Sequence, residues 1–439
     1  MILAAIDQPA AAPPPQPLLV SWNVTRVCNL ACSHCYLDAA RRRRATRDEL
    51  DTGTALGVVD QIAALAPGAM LVLSGGEPLL RRDLATLVYG AARRSLAPVI
   101  GTNGTLLSER RARRLKAAGA IGVGVSVDSA AAAFHDRLRG VPGAWRAALR
   151  GAAAARRAGL ALLLQATLFE ENRNDLAALA DIAESLGALA LNFFFLVCTG
   201  RGATQTDLMP AAYEDTLARI AELQHARPHL VIRARCAPHL RRLLGLHAGE
   251  GDGDYAPWSG ACLAGRGYFR ITPQGRVTPC PYITEVLGDL RTASLAKIWN
   301  EHPTLIRLRG ELPRGRCGEC DYRYSCGGCR ARALARCGDL FAEDPGCSYV
   351  RPKGAQAEPF PAPAARPAPA WEPAAQALLE RVPAFVRARV RSRLEECAAK
   401  EGQTRITVEF MRAHRPPVPF SRAALGNAAR GTALHQWET

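Results

Sequence analysis

Three cysteines stand close together near the N-terminus, Cys28, Cys32 and Cys35, in the spacing C-x3-C-x2-C. Three thiolates on one short loop can hold three corners of a cubane iron–sulfur cluster, and such clusters normally take four cysteine ligands. Because no fourth cysteine follows closely, one iron would stay open to a small molecule. A zinc site is the less favoured alternative, since structural zinc takes four ligands and prefers C-x2-C pairs.

A second series of cysteines occupies the C-terminal half of the chain. Cys262, Gly275 and Cys280 form C-x12-G-x4-C, and a later series forms C-x2-C-x5-C-x2-C-x17-C. The later series consists of Cys317, Cys320, Cys326, Cys329 and Cys347. Clustered cysteines in a reducing compartment more often bind metal than form disulfides. The main alternative to iron–sulfur binding is a zinc ribbon, because two C-x2-C pairs are present.

The bulk properties of the chain narrow its class. Its 439 residues include 14 cysteines and carry a net charge of +16. The start of the chain, 1–7, lacks the pattern of a secretory signal, and no apolar run reaches transmembrane length. We therefore expect a cytoplasmic protein without membrane insertion. The positive charge fits either an arginine-rich surface or an anionic substrate, and no spacing typical of nucleic-acid binding is present.

The elements that must position these cysteines alternate between strand and helix, which predicts a parallel sheet with crossover helices. Six strands are predicted at Leu18–Val24, Met70–Leu73, Pro98–Thr102, Ile121–Val127, Ala161–Thr167 and Leu191–Val197. Helices are predicted between them at Leu50–Ala66, Leu84–Ser95, Glu109–Ala118, Ala144–Ala158 and Asp175–Leu186. This α/β pattern favours a partial (β/α)6 TIM-like barrel, whose active site lies at the C-terminal ends of the strands.

Composition divides the chain into five segments. We expect a disordered Pro/Ala arm at 1–17, the partial barrel at 18–235 and a small cysteine-stapled domain at 236–353. A Pro/Ala linker at 354–370 and a small helical domain at 371–439 complete the chain.

The N-terminal motifs resemble those of the radical S-adenosylmethionine (SAM) superfamily. The cysteine loop follows the first predicted strand, and Ser74-Gly-Gly-Glu-Pro78 ends the second. In that family the cysteines hold a [4Fe–4S] cluster whose open iron is chelated by the methionine part of SAM. The resemblance implies that Gly75 and Gly76 let the backbone approach the amino group and that Glu77 accepts a bond from it. It implies further SAM contacts from Tyr36, Pro78, Asn103, Ser126, Asp128 and Gln165.

The C-terminal series resembles the seven-cysteine SPASM extension of radical SAM enzymes, which binds auxiliary Fe–S clusters. Only the x2 gap between Cys326 and Cys329 departs from the usual x3. By this resemblance one cluster is closed by Cys317, Cys320, Cys326 and Cys347. The other would use Cys262, Cys280 and Cys329, which leaves either an open iron or a remote ligand such as Cys236.

Several strings narrow the resemblance to enzymes of alternative haem and haem d1 biosynthesis, among them Ser21-Trp-Asn-Val-Thr-Arg26 and Cys326-Gly-Gly-Cys-Arg-Ala-Arg-Ala333. The segments that begin at Trp371, Leu379 and Ile406 are similar to the small C-terminal domain of dark-operative protochlorophyllide reductase. A generic helical hairpin is the alternative for this last region.

The resemblance implies an enzyme that forms a 5′-deoxyadenosyl radical and oxidatively decarboxylates or removes a carboxylate side chain of a tetrapyrrole. It implies a flavodoxin- or ferredoxin-type electron donor and one or two auxiliary clusters. No protein acid or base is evident in the sequence. The alternatives are a SPASM-type peptide maturase that forms thioether or C–C bonds, a quinone-cofactor or sulfatase maturation enzyme, and a non-enzymatic Fe–S carrier.

Overall fold

The computed structural model describes residues 15–39, 48–205, 207–244, 262–355, 369–382, 387, 390–391, 394–395, 397–398 and 401–414. Most of the predicted arm at 1–17 and of the predicted linker at 354–370 therefore lies outside the described residues. Within the described part, no helix is both long and apolar enough to cross a membrane.

Seven parallel strands form the barrel part of the sheet, in sequence order across it. They are β1 (Leu19–Asn23), β2 (Met70–Ser74), β3 (Ala97–Thr102), β4 (Gly122–Ser126), β5 (Ala161–Leu168), β6 (Ala190–Phe195) and β7 (Val231–Arg235). The six predicted strands are confirmed to within one or two residues. The seventh was missed because its sequence, Val-Ile-Arg-Ala-Arg, carries two arginines and lacks an apolar run.

Helices cover the outer face of these strands. Those of the barrel part are α1 (Thr52–Leu65), α2 (Leu84–Arg93), α3 (Glu109–Ala117), α4 (Ala132–Arg139), α5 (Ala144–Arg157), α6 (Leu176–Ser185) and α7 (Pro210–Ala226). The five predicted helices are confirmed, while α4 and α7 were not predicted. Helix α4 is short and largely polar, and α7 precedes β7, the strand that was also missed. The strand residues under the helices are apolar and fully buried, for example Val20, Leu71 and Val123.

The opposite face of the sheet is polar. Ser21 and Asn23 of β1 share this face with Ser74 of β2, because Asn23 is in register with Ser74. Further along the sheet Ser126 is in register with Gln165, Gln165 with Asn192, and Asn192 with Arg233. A polar inner face under an apolar outer face suits a barrel that encloses a binding chamber.

The cysteine-rich region continues the same sheet instead of forming a detached unit. Its strands are β8 (Tyr268–Ile271), β9 (Arg276–Thr278) and β10 (Gly288–Asp289), and β8 pairs in parallel with β1. The described residues thus form a ten-stranded sheet with the order β10-β9-β8-β1-β2-β3-β4-β5-β6-β7. Short helices complete this region at α8 (Leu240–Leu243), α9 (Leu295–Glu301), α10 (Pro303–Gly310), α11 (Arg316–Glu319) and α12 (Arg330–Cys337).

The C-terminal segment has a small core of its own. Two short parallel strands, β11 (Ala370–Trp371) and β12 (Arg405–Ile406), accompany helices α13 (Pro373–Glu380) and α14 (Val408–Ala413). The buried side chains of the segment include Leu379, Leu394 and Ile406. The sequence predicts helices in this segment. It does not predict the pair of strands, because each strand is only two residues long.

Candidate cofactor and cluster sites

The cysteine triad lies on the loop that leaves the C-terminal end of β1. Cys28 and Cys32 are buried and Cys35 is half-buried. The Leu30 amide lies 3.4 Å from Cys28 Sγ, and the Ala39 amide lies 3.4 Å from Cys35 Sγ. Amide groups directed at sulfur favour thiolate ligands, because they stabilise the negative charge that such ligands carry.

Without a bound metal, the surroundings of the triad disfavour the thiolate form of Cys28 and Cys32. Burial raises the pKa of Cys28 to about 11, and the neighbouring Cys32 and Cys35 raise it further. Burial also raises the pKa of Cys32, against the opposing effect of Arg139, whose Nη1 lies 3.7 Å from the sulfur. Iron would supply the positive charge that three adjacent thiolates need, so the donor set fits an Fe–S cluster.

Gly75 and Gly76 dock the turn after β2 onto the chain that leads into the triad. A Cβ on Gly76 would lie 2.2 Å from the Val27 oxygen, and one on Gly75 would lie 2.5 Å from the Thr25 oxygen. The Gly76 amide donates to the Thr25 oxygen at 2.8 Å, and the Glu77 amide donates to the Val27 oxygen at 2.7 Å. The close contact between the two backbone segments is by itself sufficient reason for a glycine at both positions, whether or not SAM also approaches them.

Glu77 ties together the ends of β2 and β3. Its carboxylate accepts from Thr102 Oγ1 at 2.8 Å, from the Asn103 amide at 2.9 Å and from the Leu79 amide at 3.0 Å. The side chain is fully buried, and burial raises the pKa of its carboxyl group. The adjacent Pro78 begins a short 3-10 turn. A bond from Glu77 to the SAM ammonium stays a prediction.

Asn103 connects the end of β3 to the cysteine loop. Its Nδ2 donates to Asn29 Oδ1 at 2.9 Å and lies 4.0 Å from Cys28 Sγ. Its Oδ1 accepts from the Thr105 amide at 2.9 Å. Asn29 also donates to Thr105 Oγ1 at 2.8 Å. The sequence did not indicate Asn29, because its links to Asn103 and Thr105 join separate loops.

Asp128 lies behind the cysteine loop. Its carboxylate pairs with Arg139 at 2.6 Å and accepts from the Thr167 amide at 3.0 Å, while its own amide donates to His135 Nδ1 at 3.1 Å. Burial opposes ionisation, but Arg139 holds the pKa of Asp128 below its ordinary value. Asp128 thus positions Arg139 against Cys32, and a direct contact with SAM stays a prediction.

Ser126 and Gln165 lie side by side on the inner face of the sheet. A Cβ on Gly124 would lie 2.8 Å from Gln165 Nε2, so this glycine makes room for the amide side chain. Asn192 continues the row, and its buried Oδ1 has no hydrogen-bond partner within the described residues. An unpaired polar atom in this row is suited to a polar ligand.

Tyr36 links the cysteine loop to the C-terminal region. Its hydroxyl accepts from Asn23 Nδ2 at 2.9 Å, and its ring meets that of Tyr282 edge-on at 5.3 Å. The Tyr282 amide in turn lies 3.4 Å from Cys280 Sγ. The two tyrosines therefore lie between the triad loop and one of the later cysteines.

The later cysteines separate into two groups. One group lines a single pocket and is called here the cavity set: Cys317, Cys320, Cys326 and Cys347. Backbone amides point at its sulfurs, from Tyr322 to Cys320 at 3.3 Å and from Gly328 to Cys326 at 3.4 Å. Burial raises the pKa of Cys320 to about 12, so these thiols too need a cation to ionise.

The other group is called here the barrel-side set: Cys236, Cys262, Cys280 and Cys329. Cys280 and Cys329 belong to one buried cluster, and Cys236 and Cys262 pack against it. Burial raises the pKa of Cys236 to about 12, and Cys280 and Cys262 add to that effect. Cys236 directly follows β7 and has a φ of 59°, a conformation that non-glycine residues rarely adopt.

The remaining cysteines lie elsewhere. Cys198 packs near Leu138, Phe169 and Leu196, Cys337 is exposed, and Cys397 is half-buried in the C-terminal segment. All fourteen cysteines are within the described residues and none forms a disulfide. Across the same described part, no group of three or more His, Cys, Asp or Glu side chains is arranged to hold a single metal ion.

The triad at the carboxyl edge of a parallel sheet, with the glycine turn beside it, defines a radical SAM enzyme, and the later cysteines define its auxiliary domain. Residues 22–183 match the family described as Radical SAM superfamily, and residues 262–330 match the family described as Iron-sulfur cluster-binding domain, or SPASM. Residues 371–415 match the family described as Proto-chlorophyllide reductase 57 kD subunit.

Among curated proteins, AdoMet-dependent heme synthase of Methanosarcina barkeri is 35% identical over 341 residues, 76% of this chain and 97% of that protein. The chain therefore belongs to the SPASM-containing radical SAM family that includes this synthase. Pre-heme d1 synthase of Dinoroseobacter shibae is 33% identical and covers 76% of this chain, which spans 86% of that protein. PqqA peptide cyclase of Xanthomonas euvesicatoria is 32% identical, with coverages of 80% and 94%.

Solved structures share the fold. Streptococcus suis SuiB bound to its precursor peptide SuiA has a TM-score of 0.62 at 16% identity, with 76% of each chain covered. The enzyme anSMEcpe with bound AdoMet has a TM-score of 0.58 at 18% identity, with 75% of this chain and 94% of that chain covered. The expected partial barrel with a SPASM domain is confirmed by these likenesses.

Proposed function

We propose that this enzyme uses SAM radical chemistry to decarboxylate or remove a carboxylate side chain of a tetrapyrrole in haem-type cofactor biosynthesis. The observation that carries the proposal is the 35% identity that extends over 97% of the Methanosarcina barkeri AdoMet-dependent heme synthase. The match of residues 371–415 to a protochlorophyllide reductase subunit supports a tetrapyrrole independently. The net charge of +16 suits a polycarboxylate substrate.

In this proposal each part of the site has a separate task. A [4Fe–4S] cluster at Cys28, Cys32 and Cys35 with bound SAM supplies a 5′-deoxyadenosyl radical that can abstract a substrate hydrogen. Gly75 and Gly76 hold the turn beside the triad, and Glu77 and Asn103 brace it. Ser126 and Gln165 contact the SAM ribose and carboxylate from the inner face of the sheet. Exclusion of water by the inner face of the barrel would protect the radical.

We propose two auxiliary Fe–S clusters, one at the cavity set and one at the barrel-side set, with Cys236 as the fourth ligand of the latter. The packing of Cys236 with Cys262, Cys280 and Cys329 supports this assignment. A cluster closed by four cysteines has no open iron, so it would transfer electrons instead of binding substrate. Iron analysis and electron paramagnetic resonance (EPR) of Cys236→Ser test it, with Cys198→Ser as control. An unchanged auxiliary spectrum would exclude Cys236.

The supply of electrons and the compartment also belong to the proposal. We expect a flavodoxin- or ferredoxin-type donor and a cytoplasmic location, because both Fe–S assembly and fourteen free thiols require reducing conditions. The five-segment division predicted from composition stays a prediction, with the barrel and cysteine-rich segments joined through β1 and β8.

The decisive experiment follows SAM cleavage and substrate mass together. The protein is reconstituted anaerobically and mixed with SAM, reductant and a candidate tetrapyrrole carboxylate. We expect 5′-deoxyadenosine to rise above the uncoupled background. The amount of tetrapyrrole with a reduced mass should equal the amount of 5′-deoxyadenosine formed above that background. Variants Cys28→Ala, Cys32→Ala and Cys35→Ala should abolish both signals. No stimulation by any tetrapyrrole would refute the substrate proposal, and SAM cleavage by a triad variant would refute the chemistry.

A peptide substrate is the second candidate. It is favoured by the 32% identity to PqqA peptide cyclase of Xanthomonas euvesicatoria, of which the chain spans 94%. The same assay with a candidate precursor peptide in place of the tetrapyrrole separates the two candidates. A peptide that forms a new internal bond while tetrapyrroles remain unchanged would favour this alternative.

A further inference from the structure

A buried ion pair lies between the two sets of later cysteines. Arg332 Nη1 is 3.0 Å from Asp344 Oδ2, and the two side chains are 2% and 0% exposed. A buried pair of charges costs desolvation energy, so it persists only where additional hydrogen bonds satisfy both partners. Several of these additional hydrogen bonds join Asp344 and Arg332 to cysteines of the two sets.

Asp344 contacts one cysteine of each set. Its amide donates to Cys317 Sγ of the cavity set at 3.3 Å. Its carboxylate accepts from the Cys329 amide of the barrel-side set at 2.6 Å. Asp344 thereby links the two sets, with its backbone amide on the cavity set and its carboxylate on the barrel-side set.

Arg332 extends the contact on the barrel side. Its Nη2 donates to the Cys236 carbonyl oxygen at 2.7 Å, and its guanidinium lies 4.6 Å from the centre of the Tyr213 ring. Asp207 approaches its Nε at 3.9 Å. His239 Nε2 lies 3.0 Å from Asp344 Oδ2 and completes the group of polar side chains around the pair.

We propose that Asp344 and Arg332 are positioning residues that couple the two auxiliary cluster sites and set their reduction potentials together. The inference rests on the proposed function, in that both sets must bind Fe–S clusters. Hydrogen bonds to cluster ligands and fixed charges in a low-dielectric interior tune reduction potentials. Because this pair touches both sets, a change in its charge should act on both.

The direction of the effect follows from charge. Asp344→Asn removes the anion nearest to the Arg332 guanidinium, so the net charge beside both sets becomes more positive and each site should accept an electron more readily. We expect the ratio of reduced to oxidised cluster at a fixed potential to rise about tenfold at both sites, or about 59 mV for a one-electron couple. Arg332→Met leaves the Asp344 anion uncompensated and should shift both sites in the opposite direction.

The test is an EPR-monitored redox titration of the full chain. The triad is removed by Cys28→Ala, Cys32→Ala and Cys35→Ala, so that only auxiliary signals remain. Asp344→Asn and Arg332→Met are compared with Glu343→Gln, a neighbouring carboxylate that pairs with Arg316 on the cavity side. Glu343→Gln should shift the cavity set alone.

Shifts of both auxiliary signals, upward in Asp344→Asn and downward in Arg332→Met, would support the coupling. A shift of one signal alone, or of neither, with iron content unchanged, would overturn it. If Asp344→Asn fails to assemble, Arg332→Met carries the test, and the charge-neutral double variant should return both signals toward the parent values. Absence of auxiliary iron in the parent protein would instead contradict the cluster assignment of the proposed function.

Discussion

At the scale of single residues, the polar groups around the triad hold the cysteine loop through other side chains. Asp128 fixes Arg139, and Arg139 reaches Cys32 Sγ at 3.7 Å and donates through its Nε to Asp128 at 2.7 Å. Arg201 donates to the Cys32 carbonyl oxygen at 3.0 Å from another loop. The loop is therefore supported from two sides before any ligand binds.

Arg139→Gln should lower SAM cleavage about tenfold. The substitution removes the buried cation that offsets thiolate charge at Cys32, and bonds to charged groups contribute roughly 1.5–3 kcal/mol. The readouts are iron content and 5′-deoxyadenosine formation after reconstitution. Arg137→Gln, on the exposed side of the same helix, should match the parent protein. Full activity in Arg139→Gln would contradict this role.

Gly76→Ala should destabilise the fold by about 1–3 kcal/mol, because its Cβ would collide with the Val27 backbone. Gly57, in helix α1, is the matched control, since a Cβ there meets nothing within 4 Å. Gly57→Ala should instead stabilise the protein by about 0.5–1 kcal/mol. Urea unfolding followed by circular dichroism measures the free energy of unfolding of both variants. Equal changes in the two variants would show that the turn rearranges to accommodate the extra methyl group.

His135→Asn should reduce the sensitivity of the fold to acid. Burial lowers the pKa of His135 to about 4, below its ordinary 6.5, against the opposing effect of Asp128. Between these values the unfolded chain binds a proton that the folded chain does not, so stability is lost as pH falls from 6.5 to 4, by roughly 3 kcal/mol.

The measurement for His135 is the urea midpoint at several pH values across that window. Asn can still accept the Asp128 amide bond through its Oδ1 without titrating. His229→Asn, at an exposed position, should leave the pH profile of the parent unchanged. A parent-like profile in His135→Asn would mean that other groups account for the acid sensitivity.

At the scale of elements, strand β8 joins the cysteine-rich region to the barrel. Besides its pairing with β1, Tyr268 shares a 2.7 Å hydrogen bond with Ser21. Behind β8, Phe269 packs against Trp299 of α9 at 5.5 Å, and the Leu295 amide of α9 donates to Gln61 of α1 at 2.8 Å. The two regions share one core and should unfold together.

Trp299→Ala should therefore destabilise the barrel and the cysteine-rich region as one unit, by about 3–5 kcal/mol. Trp299 is almost fully buried, and its removal leaves a large cavity. Tryptophan fluorescence and far-UV circular dichroism should report the same shifted transition. Val350→Ala, at an exposed position, should have little effect. Two separate transitions in Trp299→Ala would argue for independent units.

The sequence predicted these elements unevenly, for physical reasons. The six strands with apolar runs and the triad were evident, because their signals are local. β7 and β8 were not, because Arg233, Arg235 and Arg270 interrupt their hydrophobicity inside a polar chamber. Arg139, Asn29 and the Arg332–Asp344 pair were not either, because their contacts join distant segments that no spacing rule connects.

At the scale of the whole molecule, the described residues contain separate hydrophobic cores. The main core spans the barrel and the cysteine-rich region, and the C-terminal segment has its own around Leu379 and Ile406. Trp371 is held within the latter by its indole bond to Glu395 at 3.0 Å and by Arg391 over its ring. The segment is therefore organised locally.

Leu379→Ala should destabilise this segment alone, since it removes a fully buried side chain from a small core, at a cost of about 2–5 kcal/mol. Hydrogen exchange should accelerate across α13, while β1 and iron content remain as in the parent. Glu380→Gln, at an exposed site on α13, is the control. Faster exchange in β1 would show that the two cores are coupled.

The placement of β1 between β2 and β8 also has a consequence for the growing chain on the ribosome. β1 can pair with β2 early, but 247 residues separate Ser21 from Tyr268, its neighbour on the other edge. At synthesis rates of 5–20 residues per second, that edge of β1 stays open for about 12–50 s. Unpaired strand edges are sites of aggregation, so successful biogenesis depends on the protection of the first strand until the eighth emerges.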